Sequence, residues 1–294
     1  MTAFKAGPFK AALIQTNVSN EMAENVAFVR AQAKAARDAG ADFVLTPENT
    51  GLIGANRADT LAKAQTEEEH GMLAACRASA RETGAWFLLG SIHVRMPGEE
   101  QIRNRSYLID PDGGIVASYD KIHMFDVELA GVGGQSYRES STFKPGERSV
   151  LAQTPWGVLG MTICYDLRFP YLYRDLAHAG ATMLSIPSSF TVPTGKAHWH
   201  TLMRARAIET GCFVFAPAQV GTHKGSGRKT YGHSVVVAPW GEVIADAGGE
   251  TAGFVVADID LAKVEEARKM VPSLQHDRKY ATPVLARPVA KAAE

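Results

Sequence analysis

"AGADFVLTPE", residues 39–48, has a near copy in "AGATMLSIPS", residues 179–188. In each, an Ala-Gly pair precedes a short apolar run that a proline ends. A second pair follows in the same order: "ETGAWF" (82–87) and "ETGCFV" (209–214). A third is "SYLIDPDGGIVASY" (106–119) and "SVVVAPWGEVIADA" (234–247). Both members of the third pair read as strand, Pro-x-Gly turn, strand, which is a hairpin pattern. Working outward, "FKAALIQT" (9–16) reads as a buried strand. Residues 23–39 then place Val26, Val29 and Ala33 on one helical stripe, and Gly40 suits a helix end. Strand, helix, strand is a βαβ pattern. The order of the repeats implies two similar α/β halves. Each contributes one sheet with helices outside, and the two sheets packed face to face give an α-β-β-α sandwich.

The composition sets limits. The chain has 294 residues, long enough for a large core, and its 31 Lys plus Arg balance 31 Asp plus Glu. That balance leaves no electrostatic footprint for nucleic acid or an anionic membrane surface. No apolar run reaches the ~18 residues of a membrane span, and the first residues lack a signal-peptide pattern. Three scattered cysteines, Cys76, Cys164 and Cys212, fit a reducing compartment better than a disulfide scaffold. The expectation is a cytoplasmic protein with one domain over residues 1–284 and a loose tail over 285–294. Residues 270–280, "MVPSLQHDRKY", read as an extended surface segment.

Of the cysteines, Cys212 stands where Ala85 stands in the first half, and Cys76 falls in a helical pattern, so both read as core. Cys164 differs. It ends the apolar run of "MTICYDLRFP" (161–170), where a polar loop begins. Strand ends collect functional loops in α/β proteins. A thiol there is a candidate nucleophile, provided a base or cation lies nearby. Glu48 closes "DFVLTPE" and is either a turn cap or a general base whose pKa burial would move upward. Lys121 in "SYDKIHMFD" is either a solvated edge lysine or a cation beside the thiol and carboxylate.

With these residues assembled, the chain resembles the nitrilase superfamily of carbon–nitrogen hydrolases. The motifs "LTPENTGL", "YDKIHMFD" and "GMTICYDLRFPYLYRDLAHAGA" carry the likeness, which covers about residues 9–280. The resemblance implies a Glu48-Lys121-Cys164 triad, with Glu139 as a second glutamate, and the α-β-β-α fold of a homodimer or higher homo-oligomer. It implies that Glu48 deprotonates Cys164 and that a thioester forms on the sulfur. Lys121 and the backbone N–H of Tyr165 would hold the oxyanion, such donors being worth about 10²–10³ in rate each. Neither metal nor organic cofactor is implied. "AQVGTH", "KTYGHSVVVAPWGEV" and "LQHDRKY" look most like the amidases that act on deaminated glutathione. The ω-amidases acting on 2-oxoglutaramate, N-carbamoyl amide hydrolases and true nitrilases share the triad and remain alternatives. His200 in "AHWH" is a departure, since relatives often carry an acidic residue there.

Arg168 is the candidate for a substrate carboxylate, because its guanidinium is a planar, permanent cation. The alternative for it is an ion pair with Asp166 or Asp175. Thr194 and His198 are candidates for the pocket wall, and His233 reads as a structural hydrogen-bonding residue. Zinc is disfavoured, because His198 and His200 stand two apart with no third ligand at a usual spacing. "GVGGQS" (131–136) only imitates a dinucleotide fingerprint, and the Gly-x-Ser-x-Gly elbow of a serine hydrolase is absent. A non-catalytic interaction module on the same fold is the reading from a different class, and the intact triad argues against it.

Overall fold

The structure, a computed structural model, describes residues 7–132, 135–281, 283 and 285. The expected loose tail therefore lies, from residue 286 on, outside the described residues.

The first half runs β1 (Phe9–Gln15), α1 (Met22–Asp38), β2 (Phe43–Leu45), α2 (Arg57–Lys63), α3 (Gly71–Thr83), β3 (Trp86–Arg95), β4 (Ile102–Ile109) and β5 (Ile115–Asp120). A short ribbon, β6 (Asp126–Val127) with β7 (Tyr137–Arg138), links it to the second half. That half runs β8 (Val150–Gln153), β9 (Val158–Met161), α4 (Pro170–His178), β10 (Met183–Ser185), α5 (Val192–Thr210) and β11 (Phe213–Ala216). It continues through β12 (Val220–Thr222), β13 (Lys229–Tyr231), β14 (Val235–Val237) and β15 (Val243–Asp246). Finally β16 (Gly253–Ile259) returns to the first sheet and α6 (Ala262–Met270) follows.

One six-stranded sheet has the order β16-β1-β2-β3-β4-β5 and the other β8-β9-β10-β11-β14-β15, so the halves match strand for strand. In each, three parallel strands are continued by an antiparallel hairpin on one side and flanked by an antiparallel edge on the other. The registers coincide too. Leu13 pairs with Leu45 in one sheet as Met161 pairs with Ser185 in the other. The repeated "ETG" has a physical cause. Gly84 and Gly211 end α3 and α5 at φ 64° and 61°, a left-handed cap that glycine adopts without a Cβ clash.

Alternation along β1 shows the layers. Ala11 and Leu13 face the core between the sheets, while Ala12 and Ile14 face α1 and α3. Phe43 of one sheet meets Phe215 of the other edge to face at 6.2 Å. Phe9 stacks on Trp156 at 4.2 Å. The second sheet is covered outside by Leu172, Tyr173 and Leu176 of α4 and by Trp199, Met203 and Ala207 of α5. The architecture is the α-β-β-α sandwich. Cys76 and Cys212 are buried, and Cys212 Sγ donates to the Ala181 carbonyl at 3.2 Å. One expectation is modified: residues 270–280 are not simply extended. The chain turns after Pro272, Leu274 packs on the core, and Asp277 is held by Arg174 and by His178 at 2.6 Å.

Candidate active site

The chain delivers its chemistry at the carboxyl ends of strands, where peptide groups leave the ladder. Glu48 follows β2, Lys121 follows β5, and Cys164 follows β9 as the first residue of a 3-10 turn, Cys164–Arg168. Glu139 opens a second 3-10 turn after β7. Glu48, Lys121 and Cys164 are 3%, 2% and 7% exposed, so their charges interact at short range with little water between them. Lys121 Nζ donates to Glu48 Oε1 at 2.9 Å and to both Glu139 oxygens at 2.9 and 2.8 Å. Asn104, on β4, donates to Glu48 Oε1 at 2.9 Å and reaches Glu139 Oε1 at 3.5 Å. Glu139 also accepts the Phe125 N–H at 2.6 Å.

Burial alone would raise the Glu48 pKa. The Lys121 ammonium outweighs it and holds the carboxyl below its usual range. Burial likewise works against the Lys121 charge, and Glu139 and Glu48 outweigh it, leaving the ammonium firmly protonated. Cys164 goes the other way: burial, then the Glu48 charge, push its thiol up, beyond what Lys121 and the Ser189 N–H offset. The resting site is therefore carboxylate, ammonium and neutral thiol. Such a thiol becomes a nucleophile only as its proton leaves, and Glu48 is the ionised base beside it.

Cys164 has φ 49° and Asn49, next to Glu48, has φ 60°. Left-handed backbone costs a non-glycine residue about 1–2 kcal/mol, and strain of this kind gathers at functional sites. Hydrogen bonds hold both residues. Cys164 N–H donates to Pro187 O at 3.0 Å, and Asn49 N–H donates to Ser91 Oγ at 2.9 Å. Buried Asp166 ties down the turn by accepting from Ile163 N–H, the Tyr119 hydroxyl and His123 N–H at 2.9, 2.7 and 3.0 Å. In that turn Tyr165 N–H has no backbone acceptor among the described residues.

A cavity of about 490 Å³ opens onto this cluster. Glu48, Lys121, Glu139, Cys164, Tyr165 and Thr194 all line it. Arg168 and His198 are not in that lining. The Arg168 guanidinium sits near the Tyr165 and Phe190 rings, 5.9 and 5.8 Å from their centroids, and its Nη2 lies 3.2 Å from His198 Nδ1. The two residues occupy each other, and Arg168 makes no ion pair with Asp166 or Asp175 among the described residues. Besides Lys121, three arginines line the cavity, Arg57, Arg138 and Arg228; Arg228 lies in the β12–β13 loop. Its Nη2 donates to Ser189 O at 2.7 Å, its guanidinium lies over the Tyr137 ring at 5.4 Å, and its buried Nε has no partner. Arg228 and Asn104 stand in none of the motifs that marked the triad in the sequence. The signal for Asn104 was an amide at a core-facing position of β4, two residues from Ile102 and Ser106, all buried.

Comparison with known proteins agrees with this geometry. Residues 10–269 match the family model described as carbon-nitrogen hydrolase. The deaminated glutathione amidase of Yersinia enterocolitica is 40% identical over 268 residues, 91% of this chain and 92% of that protein. The crystal structure of the C. elegans NitFhit protein superposes with a TM-score of 0.86 at 37% identity, covering 94% of this chain and 66% of that one. A solved mutant of the amidase from Nesterenkonia sp. AN1 carries the acetamide moiety of fluoroacetamide on its active site cysteine. It has a TM-score of 0.76 at 26% identity, covering 92% of this chain and 94% of that one. The chain belongs to the carbon–nitrogen hydrolase family and is a hydrolase acting on amides.

Proposed function

We propose that this amidase hydrolyses deaminated glutathione through a thioester on Cys164. The observation that carries the mechanism is the Lys121 ammonium bound to Glu48 and Glu139 in the cavity that Cys164 lines. Glu48 takes the thiol proton as sulfur attacks the amide carbonyl. The oxyanion is met by Lys121 and by the Tyr165 N–H, groups already in place before charge develops. Glu48 returns the proton to the departing amine nitrogen. It then takes one from water, whose oxygen attacks the thioester and frees the acid. Glu139 positions Lys121. Thr194 lines the wall, and Arg228 replaces Arg168 as the partner for a substrate carboxylate, since its guanidinium lines the same cavity as Cys164.

The substrate assignment is supported by the relatives named for it and by an arginine in the cavity. Deaminated glutathione is glutathione with a ketone in place of its amino group, so cleavage of the former γ-glutamyl amide yields 2-oxoglutarate and cysteinylglycine. The protein works as one catalytic domain, in the cytoplasm, as a homodimer. Three free cysteines suit that compartment, no described helix is long and apolar enough to cross a membrane, and exposed Ile208 and Trp240, which line one groove, offer an apolar face to a second copy. The test is 2-oxoglutarate release from deaminated glutathione and from 2-oxoglutaramate in parallel, with Cys164→Ala as control. At least tenfold higher kcat/KM for deaminated glutathione, lost in the variant, is the expected result. Preference for 2-oxoglutaramate would transfer the chain to the ω-amidases, and turnover of neither would remove the assignment.

A further inference from the structure

Away from the cavity, three side chains that the triad does not use converge from three separate elements. His200 lies on the middle of α5, His233 just before β14, and Asp246 at the end of β15. His200 Nε2 is 2.9 Å from Asp246 Oδ2, and His233 Nδ1 is 3.0 Å from Oδ1 and 3.2 Å from Oδ2. All the donor atoms lie within 4.8 Å of one another. No other group of this kind occurs among the described residues.

The arrangement is fixed by contacts other than those within the trio. His233 has φ 58°, and its ring stacks on Tyr231 at 4.5 Å. Its carbonyl accepts the indole N–H of Trp199, the residue before His200, at 2.8 Å. Gly249 leaves room for the ring, since a Cβ there would stand 2.9 Å from His233 Nε2. Two imidazoles and one carboxylate form a donor set suited to zinc, cobalt or nickel rather than to magnesium or calcium, which prefer oxygen. In a tetrahedral site with bonds near 2.0–2.1 Å, ligand atoms stand about 3.3 Å apart. To admit an ion the His–Asp distances would open by a few tenths of an ångström, and the two imidazole nitrogens, within 4.8 Å of each other, would close toward that spacing. The three side chains are 35%, 25% and 32% exposed, so water can complete the coordination.

We propose that His200, His233 and Asp246 form a binding site for a divalent transition-metal ion that staples α5 to the β14–β15 hairpin. The first turn of α5 carries Thr194 into the cavity wall, so an ion here fixes the helix that shapes that wall. Sequence spacing hid the site. His198 and His200, two apart on a helix, point to different faces and cannot share an ion. One goes to Arg168 and the other to Asp246.

The test is titration of the full chain carrying Cys164→Ala, which removes the cavity thiol, with Zn²⁺ by calorimetry and with Co²⁺ by visible absorption. One saturable equivalent and a Co²⁺ ligand-field band are expected. His200→Ala leaves the His233–Asp246 contact in place, and Asp246→Asn keeps the shape of the side chain. Each should weaken Zn²⁺ binding at least about tenfold and remove the band, with thermal melts confirming the fold. No saturable equivalent, or equal affinity in the parent and both variants, would overturn the proposal.

Discussion

Glu139→Gln tests the idea that Lys121 is shared between two carboxylates. With both glutamates ionised the cluster carries one net negative charge, and Glu139 takes two of the three hydrogen bonds from Lys121 Nζ to carboxylate oxygens. Glutamine keeps the volume but removes the charge. Its amide cannot accept from both Lys121 and the Phe125 N–H with two oxygens as Glu139 does. Charge-assisted hydrogen bonds are worth about 1.5–3 kcal/mol each. Losing one such contact to the ammonium in the transition state corresponds to a fall of roughly 10- to 100-fold in kcat/KM. The direction with pH follows from Glu48. Its pKa is already held below the usual carboxylate range by Lys121, so it loses its function as base only on acidification. With Glu139 neutral, the ammonium acts on Glu48 undivided. The Glu48 carboxyl goes lower still and becomes a weaker base. The plateau of kcat/KM should drop while its acid limb moves to lower pH. Stopped-time assays of 2-oxoglutarate release across pH 3.5–8 at fixed ionic strength read both. A plateau within about twofold of the parent, or an acid limb moving upward, would refute the shared-lysine reasoning. A rise in KM alone would recast Glu139 as a substrate contact.

Arg228→Gln should cut kcat/KM for a carboxylate-bearing amide by about 10- to 100-fold and leave a small uncharged amide within twofold. Equal losses on both substrates would remove Arg228 from carboxylate recognition. His70, His93 and His223 are buried, and burial lowers each to about 4 from 6.5. Between those values the unfolded chain binds protons that the native one does not, so stability falls as pH drops from 6.5 toward 4, by on the order of 2–3 kcal/mol per histidine at the low end. Urea midpoints measured from pH 7.5 to 4.5 should show this slope and His70→Gln should lessen it by about a third, the share of one histidine in three, whereas a flat parent profile would contradict it. Gly90→Ala would place a Cβ 1.9 Å from Thr46 O and 2.4 Å from Pro47 O, backbone atoms that cannot turn aside. The end of β2 that carries Glu48 must shift, so a loss of about 3 kcal/mol together with most activity is expected, and a parental melting temperature with full turnover would count against it.

Much of the site was legible because Glu48 and Cys164 sit where an apolar strand run gives way to polar residues. Strand ends are the one place a sequence announces both burial and exposure. The paired "ETG" and "AG" segments were legible as duplicated helix-to-strand passages because glycine there answers a backbone requirement. Arg168 shows the limit. Four residues from the nucleophile looked close, but a 3-10 turn rises about 2 Å per residue and carries this side chain to His198 and the aromatic rings. Arg228 was illegible for the converse reason: it is far from the triad in sequence, in a Gly- and Ser-rich loop. Only the contact of the β12–β13 loop with Ser189 and Tyr137 brings it into the cavity.

The matched registers of the two sheets have one more consequence. Counting on from the paired positions, Thr16 is the first-half counterpart of Cys164, and Ser188 is the second-half counterpart of Glu48. Both counterparts are fully buried. A near-symmetric frame thus has two equivalent sets of strand ends and arms one, drawing base and ammonium from one half and sulfur from the other. Neither half is an enzyme by itself. Turnover reports the alignment of two separately built slabs, and a slip between them would silence the protein while each slab kept its own ladder of hydrogen bonds.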